Sequence, residues 1–255
     1  MTKIHSEAGQ TAQKAVSCQH CPLRLSPAFK DVPQASIAAI EAMRAGQLSV
    51  SAGNDIVLPG EQNANLYTLF SGWAYRYKEL EDGRLQILNF LLPGDLVGLQ
   101  AAMFEPPRHG IVALTDSRLC RFPRGKVWKL FGSIPDLAFD ITWLGAREES
   151  FVDQNMLSVG RLVAEERVAA LVLMLFKRLK ALNLTDGMSF EFPLTQQHMA
   201  DALGLSLAHL NKTVAQLKRK GLFEIDGDRM TLKNPKILQR TAHIYDDEYE
   251  RRPLI

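Results

Sequence analysis

The chain has 255 residues, 46% of them hydrophobic and 23% charged, with a formal net charge of +2. That length suits two modest domains, each with its own core, and the composition is that of an ordinary globular protein. The longest apolar run, residues 168–176, is flanked by Glu165, Glu166, Lys177 and Arg178 and falls well short of a membrane span.

Residues 1–28 are polar, lack the apolar stretch of a signal peptide, and are expected to be ordered only if their cysteines pin them. Two of the three cysteines, Cys18 and Cys21, fall there with C-x-x-C spacing; the third is Cys120. An odd number gives no disulfide framework, and the reading is a bacterial-type cytoplasmic protein, where this spacing more often marks metal or redox chemistry. A short helix is predicted over 34–44, with Ile37, Ile40 and Met43 on one face. From 48 to 124, short β-branched and aromatic segments alternate with glycines. Asp82-Gly83 between two such runs predicts a hairpin, and the whole predicts a jelly roll.

Beyond Pro123 the pattern is helical. Residues 135–162 carry Leu137, Ile141, Leu144, Phe151, Asn155 and Val159 at spacings of three, four or seven. That stripe needs a partner: a second copy is the simplest supply, the chain's own roll the alternative. A core helix follows, then a helix pair, then a small hairpin around residues 226–228. The fold class is therefore α+β: an N-terminal double-stranded β-helix (jelly roll), a long dimerisation helix and a C-terminal winged helix-turn-helix. The expected divisions are 1–28, 29–134, 135–163, 164–236 and a tail, 237–255, read as a solvated terminus.

In residues 194–222, Met199, Ala200 and Leu203 form the inner face of one helix, and Leu210, Val214 and Leu217 that of the next. Gly204 supplies the turn and Ser206 the N-cap. Ala208, Lys212, Ala215 and Arg219 face outward, and no acidic residue lies between Leu205 and Gly221. Small and basic side chains on an outward helix suit the major groove, where phosphate contacts give affinity and base edges give sequence choice. The candidate DNA-contacting set on this helix is Ser206, Leu207, Ala208, His209, Asn211, Lys212, Lys218 and Arg219. The plainer alternative is a protein-binding winged helix with a solvated basic face.

The ordered landmarks "LPGE", "LYTLFSGWAY", "LLPGDLVG", the long helix, "AEERVAALVLMLFKRL" and the helix-turn-helix make the chain resemble the Crp/Fnr bacterial transcription regulators from Cys18 to Lys233. The resemblance implies an effector-sensing, cyclic-nucleotide-binding-like roll, a homodimer, winged helices on a palindromic site with half-sites one helical turn apart, and RNA polymerase as a partner if it activates. It implies no membrane partner and no enzyme. Relatives that bind cyclic AMP carry a glutamate and an Arg-Ser pair in the roll. This chain has Leu99 and Gln100 near the first and "RHG" at the second, which argues against cyclic AMP. Gly98, Gln100, Arg108 and His109 are the candidate effector-pocket residues. On the second helix, Ala208 and Lys212 stand where many relatives have Glu and Arg, so the usual half-site is not assumed. The resemblance adds Thr195 and Gln197, at the start of the first helix, to the candidate DNA-contacting set, since they match positions that touch phosphate in the family.

The Fnr branch holds a [4Fe–4S] cluster with four cysteines. Cys18, Cys21 and Cys120 match three of them, and the missing one leaves His5, His20 or Asp31 as fourth-ligand candidates. Zinc or a direct thiol switch is a second reading. Incidental cysteines, in a regulator whose roll takes another small effector or none, are a third. A roll metalloenzyme would need converging histidines and a carboxylate, whereas the roll offers His109 alone.

Overall fold

A computed structural model of the chain describes residues 16–61, 65–103, 106–243 and 250–255; His5 and most of the acidic tail lie outside the described residues. The N-terminal segment forms two short 3₁₀ turns, Cys18–His20 and Pro22–Leu25. It is pinned by α1 (Gln34–Met43): Glu41 accepts hydrogen bonds from Ser17 Oγ and the Cys18 amide, both at 3.2 Å.

Eight strands then build the roll: β1 (Gln47–Val50), β2 (Asp55–Val57), β3 (Leu66–Ser71), β4 (Ala74–Glu79), β5 (Leu85–Leu91), β6 (Leu96–Val97), β7 (Gly110–Ala113) and β8 (Ser117–Phe122). A short helix, α2 (Leu99–Met103), separates β6 from β7. The strands form two antiparallel sheets, ordered β1-β8-β3-β6 and β2-β7-β4-β5. Alternating side chains meet between them, with Leu69, Ala74, Leu119 and Ala113 fully buried. Asp82-Gly83 turns β4 into β5 as expected, with Gly83 at φ +84°.

Two helices follow, α3 (Arg124–Ser133) and the 27-residue α4 (Pro135–Arg161). The α4 stripe is satisfied within the chain, contrary to the simpler expectation. Leu137, Ile141 and Leu144 are buried against the roll at 0–3% exposure, each contributing about 2 kcal/mol of burial. Asn155 Nδ2 donates to the Leu88 carbonyl at 2.6 Å. A different face stays open: Phe139, Val152, Met156 and Leu157 are exposed at 37–70%. Phe139, Thr142, Ala146, Glu149, Asp153, Met156 and Gly160 recur there at spacings of three and four, all exposed, which is the spacing of a helix-pairing face, with Phe139, Ala146 and Met156 its apolar members.

The last third holds α5 (Ala164–Ala181), α6 (Gln196–Leu203), α7 (Leu207–Arg219) and α8 (Pro235–Thr241). Beside them is a four-stranded sheet made from β9 (Thr185–Asp186), β10 (Ser189–Glu191), β11 (Phe223–Asp226) and β12 (Arg229–Leu232), in the order β11-β12-β10-β9. The apolar run of α5 is the core of this unit, with Val168, Ala169, Val172 and Leu175 completely buried. It packs on α6, α7 and α8. The tail does not behave as a solvated terminus: Arg252, Leu254 and Ile255 are buried at 1–5% exposure, and Phe29 pairs with Arg252 as a parallel bridge.

Candidate DNA interface and thiol pocket

The helix pair forms as its sequence dictates. Met199, Ala200 and Leu203 on α6, and Leu210, Val214 and Leu217 on α7, are buried. Gly204 closes α6 in the left-handed region at φ +62°, where a side chain would be strained. The Ser206 hydroxyl accepts from the His209 amide and caps α7. On α7 the residues Leu207, Ala208, His209, Asn211, Lys212, Lys218 and Arg219 are all exposed. The Thr195 hydroxyl accepts from the His198 amide and so caps α6. Gln197 is exposed and donates to Asp201 at 2.7 Å. The absence of acidic neighbours in sequence does not extend to space: Lys220 pairs with Glu165 of α5 at 2.5 Å. An open groove of about 460 Å³ runs beside α7, between His209, Lys212 and Gln216 and the first turn of α5.

The helix pair is docked on the roll. The Gln86 side chain on β5 donates to the Ala202 carbonyl at 3.2 Å, and the rings of Tyr75 and His198 lie 5.5 Å apart. His198 Nδ1 accepts from the Thr195 amide at 3.2 Å, so this cap uses a neutral imidazole. Burial keeps that histidine below its ordinary pKa.

A charge network that no sequence motif announced ties the parts together. Asp95, from the "PGD" turn and wholly buried, meets Arg178 of α5, Arg252 of the tail and Arg147 of α4. Burial alone would raise its carboxyl pKa, but Arg178, Arg252 and Arg147 outweigh it and hold the group below the usual range. Gly94 beside it sits at φ +85°, and a Cβ there would fall 2.1 Å from the Phe29 ring. Arg178, read from sequence only as a flanking charge, also donates to the Phe90 carbonyl at 2.8 Å. Nearby, Glu148 of α4 meets Arg76 of β4 at 3.8 Å and Asn89 of β5 at 3.3 Å. Burial and Asp95 raise the Glu148 pKa.

Of the effector-pocket candidates, Gly98 and His109 are buried, while Gln100 and Arg108 are exposed. None of the four lines the groove beside α7 or the thiol pocket. Burial first, then Arg76 and Lys78, lowers the His109 pKa to about 4, so its imidazole is neutral.

The three cysteines, from segments a hundred residues apart, line one pocket between the N-terminal turns and β8. Cys18 and Cys120 are buried, and Gln47 Nε2 lies 3.6 Å from Cys120 Sγ. Burial pushes the Cys18 thiol up to about 11, with Arg44 pulling it down and Cys120 up; burial also raises Cys21. These are neutral thiols, poor as nucleophiles. Leu254 and Ile255 also line this pocket, whose volume is about 20 Å³, room for one water. That space is smaller than the eight-atom core of a [4Fe–4S] cluster, and three thiols leave one iron to another group, while no described His, Asp or Glu side chain lines the pocket. Among the described residues no three His, Cys, Asp or Glu side chains converge tightly enough to hold a metal ion. Two fourth-ligand candidates are elsewhere: His20 is exposed, and Asp31 faces solvent beside Arg251 at 3.5 Å.

A jelly roll joined through a long helix to a winged helix-turn-helix, with a basic outward face on α7, defines a DNA-binding transcription regulator. Residues 47–133 match the cyclic nucleotide-binding domain family, and residues 166–241 the Crp-like helix-turn-helix domain family. The transcriptional activatory protein AadR of Rhodopseudomonas palustris is 33% identical over 174 residues, 68% of this chain and 71% of that protein. The transcriptional activator protein FnrL of Cereibacter sphaeroides is 29% identical over 215 residues, 83% of this chain and 86% of that protein. The solved structure of FixK2 from Bradyrhizobium japonicum superposes with a TM-score of 0.71 at 27% identity, covering 78% of this chain and 98% of that one. The chain belongs to the Crp/Fnr family of transcription regulators, which bind DNA as dimers.

Proposed function

We propose that the protein is a homodimeric regulator that reads a palindromic DNA site through α7, and that its thiol pocket, rather than a cyclic-nucleotide cradle, is the part that responds to a signal. The capped, outward-facing α7 carries the DNA reading: its exposed face holds Ala208, His209, Asn211, Lys212 and Arg219 with the apolar side buried. Lys212 is the residue for a guanine contact, without the bidentate fork of an arginine. Thr195, Gln197, Ser206, Leu207, Lys218 and Arg219 complete the proposed contact surface. Selection of bound duplexes from a random pool tests this. A two-fold symmetric sequence with half-sites one turn apart is expected, and absence of any enriched sequence contradicts it.

That Cys18, Cys21 and Cys120, distant in sequence, line one small pocket supports it as the responsive element. The names of the relatives support regulation rather than catalysis, and the roll carries one histidine, His109. A role among nucleic acids fits a bacterial cytoplasmic setting, and none of the described helices is long and apolar enough to cross a membrane. The pocket as folded is too small for a cluster. Anaerobic reconstitution with iron and sulfide is therefore expected to leave the protein colourless. A brown protein with stoichiometric iron and sulfide overturns the thiol reading in favour of a cluster.

A further inference from the structure

Residues 251–255 are bound to the rest of the molecule as a peptide is bound in a recognition groove. Their main chain pairs in parallel with residues 28–30: the Arg252 amide donates to the Ala28 carbonyl at 2.9 Å, and the Lys30 amide to the Arg252 carbonyl at 2.8 Å. The Arg252 guanidinium enters a closed site, against Asp95, the Pro93 carbonyl at 2.9 Å and the Phe29 ring at 4.9 Å. Beyond the proline the chain inserts into the roll. Arg24 donates to the Leu254 carbonyl at 3.2 Å, and Thr68 Oγ1 to the Ile255 carbonyl at 2.6 Å. Leu254 and Ile255, 3% and 5% exposed, then line the thiol pocket. Main-chain pairing, a charged anchor in a carboxylate site and apolar side chains in a pocket are the three components of extended-peptide recognition.

We propose that residues 251–255 are a detachable strap occupying a peptide-binding groove of this same chain, and that its release opens the thiol pocket. The ligand class the groove takes is an extended peptide with arginine, a proline and two aliphatic residues. Docking of the strap is intramolecular, so it closes the pocket without needing high affinity for a free peptide. The strap also shares Asp95 with Arg178 of α5, so its release removes one of the partners that hold the DNA-binding unit against the roll. The inference rests on the closed pocket alone, not on DNA binding or on what the thiols sense.

The test is the rate at which N-ethylmaleimide alkylates Cys18 and Cys120, read by mass spectrometry of digests. The intact chain reacts slowly. Ile255→Asp, and a chain ending at Glu250, are expected to react at least about tenfold faster, because access to the two buried thiols limits the intact chain. Acetyl-Arg-Arg-Pro-Leu-Ile at millimolar concentration restores slow alkylation to the shortened chain in a saturable way, and the peptide Leu-Arg-Ile-Pro-Arg does not. Equal rates in the intact chain and in Ile255→Asp overturn the proposal, as does a folded shortened chain that the peptide fails to protect. Amide exchange separates release from unfolding. Continued protection at Leu210 and Val214 in α7 supports release of the strap, and loss of protection there, accompanying fast alkylation, overturns it. If the shortened chain does not fold, Ile255→Asp decides.

Discussion

A carboxylate taken out of water costs several kcal/mol unless its partners replace the lost hydration, and Asp95 is met by three guanidiniums from three parts of the chain. Asp95→Asn removes the charge and leaves Arg178 and Arg252 buried without it. A loss of about 3–5 kcal/mol is expected, read as a lower midpoint in urea. Buried His109 and half-buried His198 act in the acid range. Both His109 and His198 have pKa values below the ordinary one, His109 at about 4. The unfolded chain therefore binds protons that the folded chain refuses between about pH 6.5 and pH 4, and stability falls as pH drops through that window. For His109 the fall is on the order of 3 kcal/mol. His109→Gln is expected to flatten the dependence of the melting temperature on pH, and an unchanged slope contradicts the assignment.

Each helix of the DNA-binding unit has a start and a stop that can be broken singly. Ser206→Ala removes the α7 cap and is expected to cost about 1 kcal/mol. Gly204→Ala, at φ +62°, costs about 1–2 kcal/mol. On α4, the exposed face through Phe139 and Met156 is the surface proposed here for a second copy. Phe139→Asp with Met156→Asp is expected to leave a folded monomer by sedimentation and to abolish tight DNA binding. A variant that sediments as a dimer contradicts the assignment. This face was not legible in sequence because its apolar members are interrupted by Thr142, Glu149 and Asp153. The stripe of Leu137, Ile141 and Leu144 is the more regular, and burial against the roll claims it first. The helix-turn-helix, by contrast, was legible because capping, turn and amphipathic spacing are local. Asp95, Arg178 and Arg252 were not, since their pairings span 83 and 157 residues and no local pattern encodes an ion pair at such a distance. The tail misled for a related reason: its acidic residues suggest solvation, while the buried part is the short Arg-Pro-Leu-Ile that follows.

At the scale of the molecule, the roll, the long helix and the winged unit are joined by buried charge, by α6 lying on β5 and by the strap, so a change at the thiol pocket has a physical route to α5. The pocket links the N-terminal turns, β8 and the tail, and Asp95 links the tail to α4 and α5. On the proposed α7 interface, Lys212→Ala is expected to weaken binding by about 1–3 kcal/mol and to relax the choice of base at the position it reads, measured by repeating the selection with the variant. The most direct test of the central claim is a titration of the purified protein onto a palindromic duplex recovered by selection, with stoichiometry and affinity read together. Two protomers per duplex, with affinity falling at least about tenfold when one half-site is scrambled, is the predicted result. Binding as one protomer, or equal affinity for scrambled duplexes, would contradict the account.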